Sequence, residues 1–280
     1  MIHNNLNKLA PLIIIGVLGS AYLYKNFNSN KQNATNQNIE GINKINTSSN
    51  NIDSDDYFLP TSTTNQVIKH NTYYLSYSEE HEQAEWVAYI LRDTDLVKNK
   101  YKRPLFIQDE KVKTGSAHWN NYKNSGYTRG HLLPAADRTQ SEATYNETFL
   151  TSNISPQLYE FNAGIWNSLE HKTRLWAKKY KKIYVVTGGI LNKNLKTIGN
   201  EQVSVPDYFY KILLREDNNN YKMIAFVIPH QKNENNKLPE YVVTADDLEK
   251  QTNIDFFPFL DDKIEHELES TISADEWFNK

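Results

Sequence analysis

Ser125-Gly126-Tyr127-Thr128-Arg129-Gly130-His131-Leu132-Leu133-Pro134-Ala135-Ala136-Asp137-Arg138 is the stretch on which the reading of this 280-residue chain turns. Gly126 and Gly130 bracket the imidazole, which suits a backbone that turns tightly or approaches another group closely. Arg129 and Arg138 carry planar forks matched to phosphate oxygens. An imidazole near its ordinary pKa takes a proton from water at neutral pH. A lone His is more often structural than catalytic, so the weight lies on its neighbours and on two segments further along the chain.

The first of these is Thr151-Ser152-Asn153-Ile154-Ser155-Pro156-Gln157, and the second is a helix predicted from about Phe161 to Lys181. On a straight helix at about 100° per residue, with Asn162 at zero, Trp166, Glu170 and Arg174 come at about 40°, 80° and 120°. Phe161, Ile165, Leu169 and Trp176 fall on the opposite side. One face is apolar, and the other combines an amide, an indole, a carboxylate and a guanidinium. A plain surface helix can show the same stripe.

Around this block the pattern is mostly of strands. Thr72–Tyr77, Glu82–Leu91, Leu105–Ile107, Ile183–Thr187, Tyr208–Leu214, Met223–Ile228 and Tyr241–Val243 are aromatic-rich or β-branched runs. Asp246–Gln251, with Thr244 as cap, and Asp261–Leu268 read as helices, with Phe256 to Leu260 an apolar plug between them. Many strands with few long helices give an α+β domain around a largely antiparallel sheet.

Hydrophobic content is 39%, low for a globular chain because the first 65 residues are Asn-rich. No Cys is present, which excludes disulfides, thiolate zinc sites and a cysteine nucleophile. The net charge of -3 is not that of a strongly basic nucleic-acid binder, but its distribution is uneven. Residues 97–138 hold nine Lys/Arg against three acids, and residues 245–280 hold three Lys against eleven acids. A polyanion could meet the basic middle while the acidic tail lies elsewhere. A solvated surface of mixed sign accounts for the same counts.

Leu9 to Tyr24 carries no charge and spans roughly 24 Å as a helix, short of a ~30 Å membrane core. It reads either as a signal-peptide core or as a short membrane anchor, so residues 1–25 imply export, secreted, periplasmic or anchored facing out of the cytoplasm. Residues 26–65 are rich in Asn, Ser and Thr and read as a disordered linker. Residues 66–280 form the folded domain.

The sequence resembles the DNA/RNA non-specific endonucleases of the ββα-metal (His-Me finger) type, whose hallmark is Asp-Arg-Gly-His. The likeness runs roughly from Tyr73 to Leu260 and includes Trp86-Val87-Ala88-Tyr89, the block from Ser125 to Asp137, Asn153-Ile154-Ser155-Pro156-Gln157, Asn162 with Trp166, Leu169-Glu170, and Val186-Thr187-Gly188. Thr128 stands where the hallmark has its acid, a place tied to support or tuning around the metal site.

The resemblance implies a ββα-metal finger within the sheet domain, and a set of roles. His131 would be the general base. Asn162 would ligate Mg²⁺ directly, with Mn²⁺ as an alternative ion. Glu170 would hold metal-bound water. Arg129 and Arg174 would contact phosphate, with Arg103 and Arg138 as further substrate contacts. The substrates would be DNA and RNA, cleaved to 5′-phosphate ends. Phosphodiester hydrolysis agrees with such a set, since Mg²⁺ keeps most of its waters and accepts few protein ligands. His171 points about 100° from Glu170 and is read as a surface residue. Zinc is disfavoured because the eight His show no metal-ligand spacing. A catalytically weakened nucleic-acid-binding relative, marked by Thr128, is the alternative.

Overall fold

Strand Tyr208–Asp217 shows why the sequence builds what it does. Phe209 and Leu213 are fully buried against one layer, while Tyr210, Ile212 and Leu214 are buried against another. Successive strand residues point to opposite faces, so a strand apolar on both faces must be covered on both. The computed structural model describes residues 58–217, 220–232 and 237–279. The described residues belong to one compact unit.

The sheet strands are β1 (Val67–Lys69), β2 (Tyr74–Ser78), β3 (Gln83–Arg92), β6 (Lys182–Gly189), β9 (Tyr208–Asp217), β10 (Asn220–Pro229) and β11 (Val242–Val243), in the spatial order β1-β2-β3-β6-β9-β10-β11. Every neighbouring pair is antiparallel, so the α+β architecture with a large antiparallel sheet holds. Two short pairs stand apart: β4 (Thr128–His131) with β5 (Ile154–Gln157), and β7 (Thr197–Ile198) with β8 (Val203–Ser204).

Among the helices, α1 is Glu142–Glu147 and α2 is Tyr159–Phe161. A wider π turn over Asn162–Trp166 leads into α3, Asn167–Tyr180. Gly164, with φ -97° and ψ -112°, absorbs the irregularity. Phe161, Ile165, Trp166, Leu169, Trp176 and Ala177 pack on one face of the sheet against Val87, Val185, Phe209, Leu213 and Phe226. On the other face, Leu248 of α4 (Ala245–Thr252) packs with Phe256, Phe257 and Leu260 against Trp86, Tyr184, Tyr210 and Ile212. Thr244 caps α4 by accepting from Asp247 N, as its hydroxyl suggested. The helices α5 (Asp262–Glu269) and α6 (Ala274–Phe278) close the chain.

Two expectations change. Leu105–Ile107 is not a strand: Leu105 and Ile107 are exposed, and Ile107 makes one isolated bridge to Leu150. Pro104 removes a backbone donor beside it, and no strand lies alongside. Trp166 does not sit on the polar stripe. It is fully buried beside Phe161 and Phe209, because the π turn rotates it away from the straight-helix position. Residues 9–24 and the linker up to residue 57 lie outside the described residues, and no helix among the described residues is long and apolar enough to cross a membrane.

Candidate active site

The chain reaches β4 through Gly126, whose φ of +86° lies in the left-handed region that glycine adopts without strain. In β4 the Gly130 backbone faces Ser155 of β5, and a Cβ added at Gly130 would fall 2.1 Å from the Gln157 side chain. Only glycine admits that approach. Just beyond, the Asn153 amide accepts from Leu133 N at 2.8 Å and donates to the carbonyls of Leu133 and Thr148. The backbone on both sides of His131 is therefore fixed.

His131 lies edge-on to Phe149, with ring centroids 4.8 Å apart, and beside Phe106 at 5.6 Å. Its Nε2 is buried, with no hydrogen-bond partner among the described residues. Burial, assisted by the positive charge of Arg103, lowers its pKa to about 3. The ring is neutral at physiological pH and keeps a lone pair for a proton.

Thr128 opens the same strand. Its hydroxyl lies 2.8 Å from the Gln157 carbonyl, which can only accept, so the hydroxyl donates there. The oxygen can then only accept from Asn162, whose Nδ2 donates to it at 3.2 Å. The Asn162 amide is thereby oriented, with Nδ2 committed and Oδ1 without a hydrogen-bond partner among the described residues. This bond also ties the π turn to the strand that carries Arg129 and His131.

Further along, in the first turn of α3, Glu170 faces a group of charges that the sequence reveals only in part. Lys211, in β9, is completely buried, and its Nζ has no hydrogen-bond partner among the described residues. It stands 5.0 Å from the Trp166 ring centroid. Burial raises the Glu170 pKa while Lys211 opposes that rise, and burial lowers Lys211 while Glu170 opposes that. Asp137 completes the group, accepting from Arg174 Nη1 at 2.9 Å and from Tyr89 Oη at 2.9 Å. Lys211 had one legible signal, a cation amid the apolar run Tyr208-Phe209-Tyr210-Lys211-Ile212-Leu213-Leu214.

The arginines divide. The Arg129 guanidinium rests 4.8 Å from the Phe106 centroid and 5.9 Å from that of Trp119. Arg103 is exposed and rests 5.5 Å from both Phe106 and Phe149. Both therefore stand around His131. Arg174 is turned toward Asp137. Arg138 is elsewhere: it is 1% exposed and donates to the backbone carbonyls of Asp137, Thr72 and Ile90. The expected substrate contact by Arg138 is dropped, because its guanidinium is spent on cross-linking three segments. His171 is exposed, as its place on the helix required.

For a metal, Asn162 Oδ1 and the Glu170 carboxyl offer hard oxygen donors with no sulfur, a set suited to a small divalent cation that keeps its waters. Asp246, Glu249 and Glu269 also bring oxygens within 4.8 Å of one another, as do Asp255, Glu265 and Glu269. That cluster belongs to α4, α5 and the loop between them, packed on the other face of the sheet. Burial and the neighbouring Glu269 push Glu249 well above the usual carboxylate range, so this group retains a proton.

The family model described as DNA/RNA non-specific endonuclease matches residues 51–263. A mitochondrial nuclease EXOG of Danio rerio is 35% identical over 66% of this chain and 59% of its own length. Its Xenopus laevis counterpart is 34% identical over 74% of this chain and 62% of its own length. This chain thus spans about 60% of these two relatives. A nuclease of Nostoc is 34% identical over 76% of this chain and 81% of its own. Among solved structures, endonuclease G in complex with its inhibitor matches with a TM-score of 0.66 and 29% identity, over 71% of this chain and 88% of that one. The expectation of an exported or membrane-anchored protein is overturned: the EXOG relatives, human endonuclease G and a yeast relative are all named as mitochondrial.

Proposed function

Because this chain belongs to the DNA/RNA non-specific endonuclease family, we propose that it hydrolyses phosphodiester bonds of DNA and RNA at the site around His131, leaving 5′-phosphate ends. The observation that carries the reading is a neutral, unpartnered imidazole on the same strand as Thr128, which orients the Asn162 amide.

His131 takes a proton from the attacking water at its unprotonated ring nitrogen. Its lowered pKa keeps that nitrogen free across physiological pH, and the two phenylalanine rings hold its plane. Arg129 and Arg103 bind phosphate oxygens with guanidinium planes braced on Phe106. Arg174, pinned by Asp137, adds positive potential along α3. Asn162 Oδ1 would hold a divalent cation, Mg²⁺ or Mn²⁺, and Glu170 would orient water around it. When bound, the cation supplies charge stabilisation at the phosphate oxygen and at the leaving oxygen.

None of these groups reads a base edge, so cleavage has low sequence preference and falls steeply with salt. The catalytic domain takes in residues 58–65 together with 66–280, since Phe58 packs on the Tyr184 ring and the Thr61 carbonyl accepts from Trp86 Nε1. The linker read over 26–65 thus loses its last eight residues to the fold; the rest of it and the apolar segment within residues 1–25 precede the domain. The departure at Thr128 does not favour a weakened relative, since its hydroxyl holds Asn162 in place.

Incubation of the full chain with plasmid and with RNA, with Mg²⁺ and with chelator, tests the reading. Cleavage of both substrates that chelator abolishes is expected, as is loss of turnover with retained binding in His131→Ala. Full activity in His131→Ala removes the assigned base, and no cleavage with any divalent ion removes the activity.

A further inference from the structure

Trp119 is an indole held out of the core by a rigid turn. It opens the short 3₁₀ turn Trp119–Tyr122, and every other side of that turn is tied down. His118 Nδ1 accepts from Asn120 N at 3.1 Å and caps the turn. Asn121 is buried, donating to the His118 carbonyl and to Glu201 and accepting from Glu201 N. Tyr122 is buried and reaches the Ile154 carbonyl at 3.3 Å, which fastens the turn to β5. Trp119 nevertheless stays 37% exposed. No acceptor for its Nε1 is present among the described residues.

An indole fixed at the surface, apolar in its body and polar at its Nε1, is available to a partner. Its position identifies that partner. The ring centroid is 5.9 Å from the Arg129 guanidinium, and Phe106 braces the same guanidinium at 4.8 Å while standing 5.6 Å from His131. Arg129 already has a full aromatic platform in Phe106, so Trp119 is not needed to hold it. The other flank of the turn borders a cavity of about 500 Å³ whose lining is polar and of mixed charge, with Asn120, Lys123 and Asn124 beside the Glu201 carboxylate.

We propose that Trp119 is a base-stacking platform: its indole holds a nucleobase of the strand whose phosphate Arg129 grips. The proposal rests on the nuclease reading of the His131 site. Every nucleobase has a π face, so stacking on an indole is tolerant of sequence and compatible with non-specific cleavage. A base can lie flat on Trp119 only when it has left its neighbours. The platform therefore favours single-stranded or unstacked nucleotides over intact duplex, in DNA and RNA alike.

The test uses the full chain and short single-stranded oligodeoxynucleotides, normal or carrying one abasic residue stepped across the strand. All linkages but one are protected as phosphorothioates. Binding is followed by fluorescence anisotropy in chelator, and cleavage separately with Mg²⁺. Base–aromatic stacking is equivalent to about a tenfold change in affinity or more. The wild-type protein is expected to bind one abasic register about tenfold more weakly than the normal strand. Trp119→Ala should bind both with the same weakened affinity, and Trp119→Phe should keep most of the difference. If Trp119→Ala weakens both strands equally and the abasic penalty persists, the ring only braces Arg129 and the proposal is overturned. The same holds if the wild-type protein shows no abasic penalty. A penalty that needs Trp119, without cleavage in Mg²⁺, would overturn the nuclease reading and leave the platform standing.

Discussion

The Asn162 amide is oriented by Thr128: Nδ2 donates to the Thr128 hydroxyl at 3.2 Å, and that hydroxyl is itself committed as a donor to the Gln157 carbonyl. A single hydroxyl thus decides which atom of Asn162 is left for a cation. Partners of this outer kind typically control metal affinity by ten- to a hundredfold. Thr128→Val keeps the shape and removes both bonds, and is expected to weaken Mg²⁺ binding by about tenfold, while Thr128→Ser retains it. Isothermal titration with Mg²⁺ reads the difference directly. Equal affinities in Thr128→Val and wild type would show that Asn162 is oriented by something else.

Lys211 limits how far burial raises the Glu170 carboxyl, which stands at about 7. Burial pushes the carboxyl up, and Lys211 is the largest opposing influence. In Lys211→Met that opposition goes, so Glu170 stays protonated to higher pH. If the carboxylate orients water, the acid limb of the kcat profile moves upward by about one pH unit, and activity at pH 7 falls about fivefold. A pH–rate series on the variant checks this. An unshifted profile with a lower melting temperature would mean that Lys211 is purely structural.

Arg138 and Arg129 sit nine residues apart and separate stability from binding. Arg138 donates to three backbone carbonyls from a fully enclosed position. Arg138→Gln is expected to cost at least about 2 kcal/mol in urea unfolding, with KM little changed. Arg129→Gln should do the reverse, raising KM and flattening the salt dependence of binding at nearly constant stability. A large KM effect from Arg138→Gln in protein that remains fully folded would restore it to the substrate surface.

His70 provides a pH dependence of stability away from the catalytic groups. It contacts Asp109 at 2.9 Å, and Ser152 donates to the same carboxylate oxygen at 2.6 Å. Burial opposes the charged ring, but hydrogen bonds to Asp109 and Glu147 outweigh it and raise the His70 pKa. A raised folded value gives stability that is fully present below the ordinary imidazole pKa and lost as pH rises through the folded one. Burial also opposes the charge on Asp109 and Glu147, yet the bonds from His70 and other donors leave both lowered. Their contribution is lost as pH falls through those folded values. The wild-type melting temperature should therefore be highest in mildly acidic buffer, and His70→Gln should remove the decline on the alkaline side. Parallel melting curves for the two proteins from pH 5 to 9 would exclude the ion pair as its source.

Much of the architecture could be read along the chain because it rests on local periodicity. The apolar runs Ile183 to Thr187 and Tyr208 to Leu214 form central strands, and the apolar back of the long helix is buried as its spacing required. Leu105–Ile107 read as a strand and is not one, because a strand also needs a partner, which local composition does not supply. Trp166 read as part of the polar stripe because a straight helix was assumed. The π turn at Gly164 shifts the phase of every residue before α3.

By itself the sequence nominated the candidate residues: the block around His131, the Asn162 amide and the Glu170 carboxyl are single short motifs, with donors and acceptors legible from residue type. Tertiary structure alone decided their company. Arg138 and Arg129 are the same residue type in the same motif, yet one is walled in by backbone carbonyls and the other lies between two aromatic rings. Lys211 and Glu170 lie 41 positions apart in the chain and share one buried environment. The electrostatics of a site depend on distance through space and on loss of water, and neither is written along the chain.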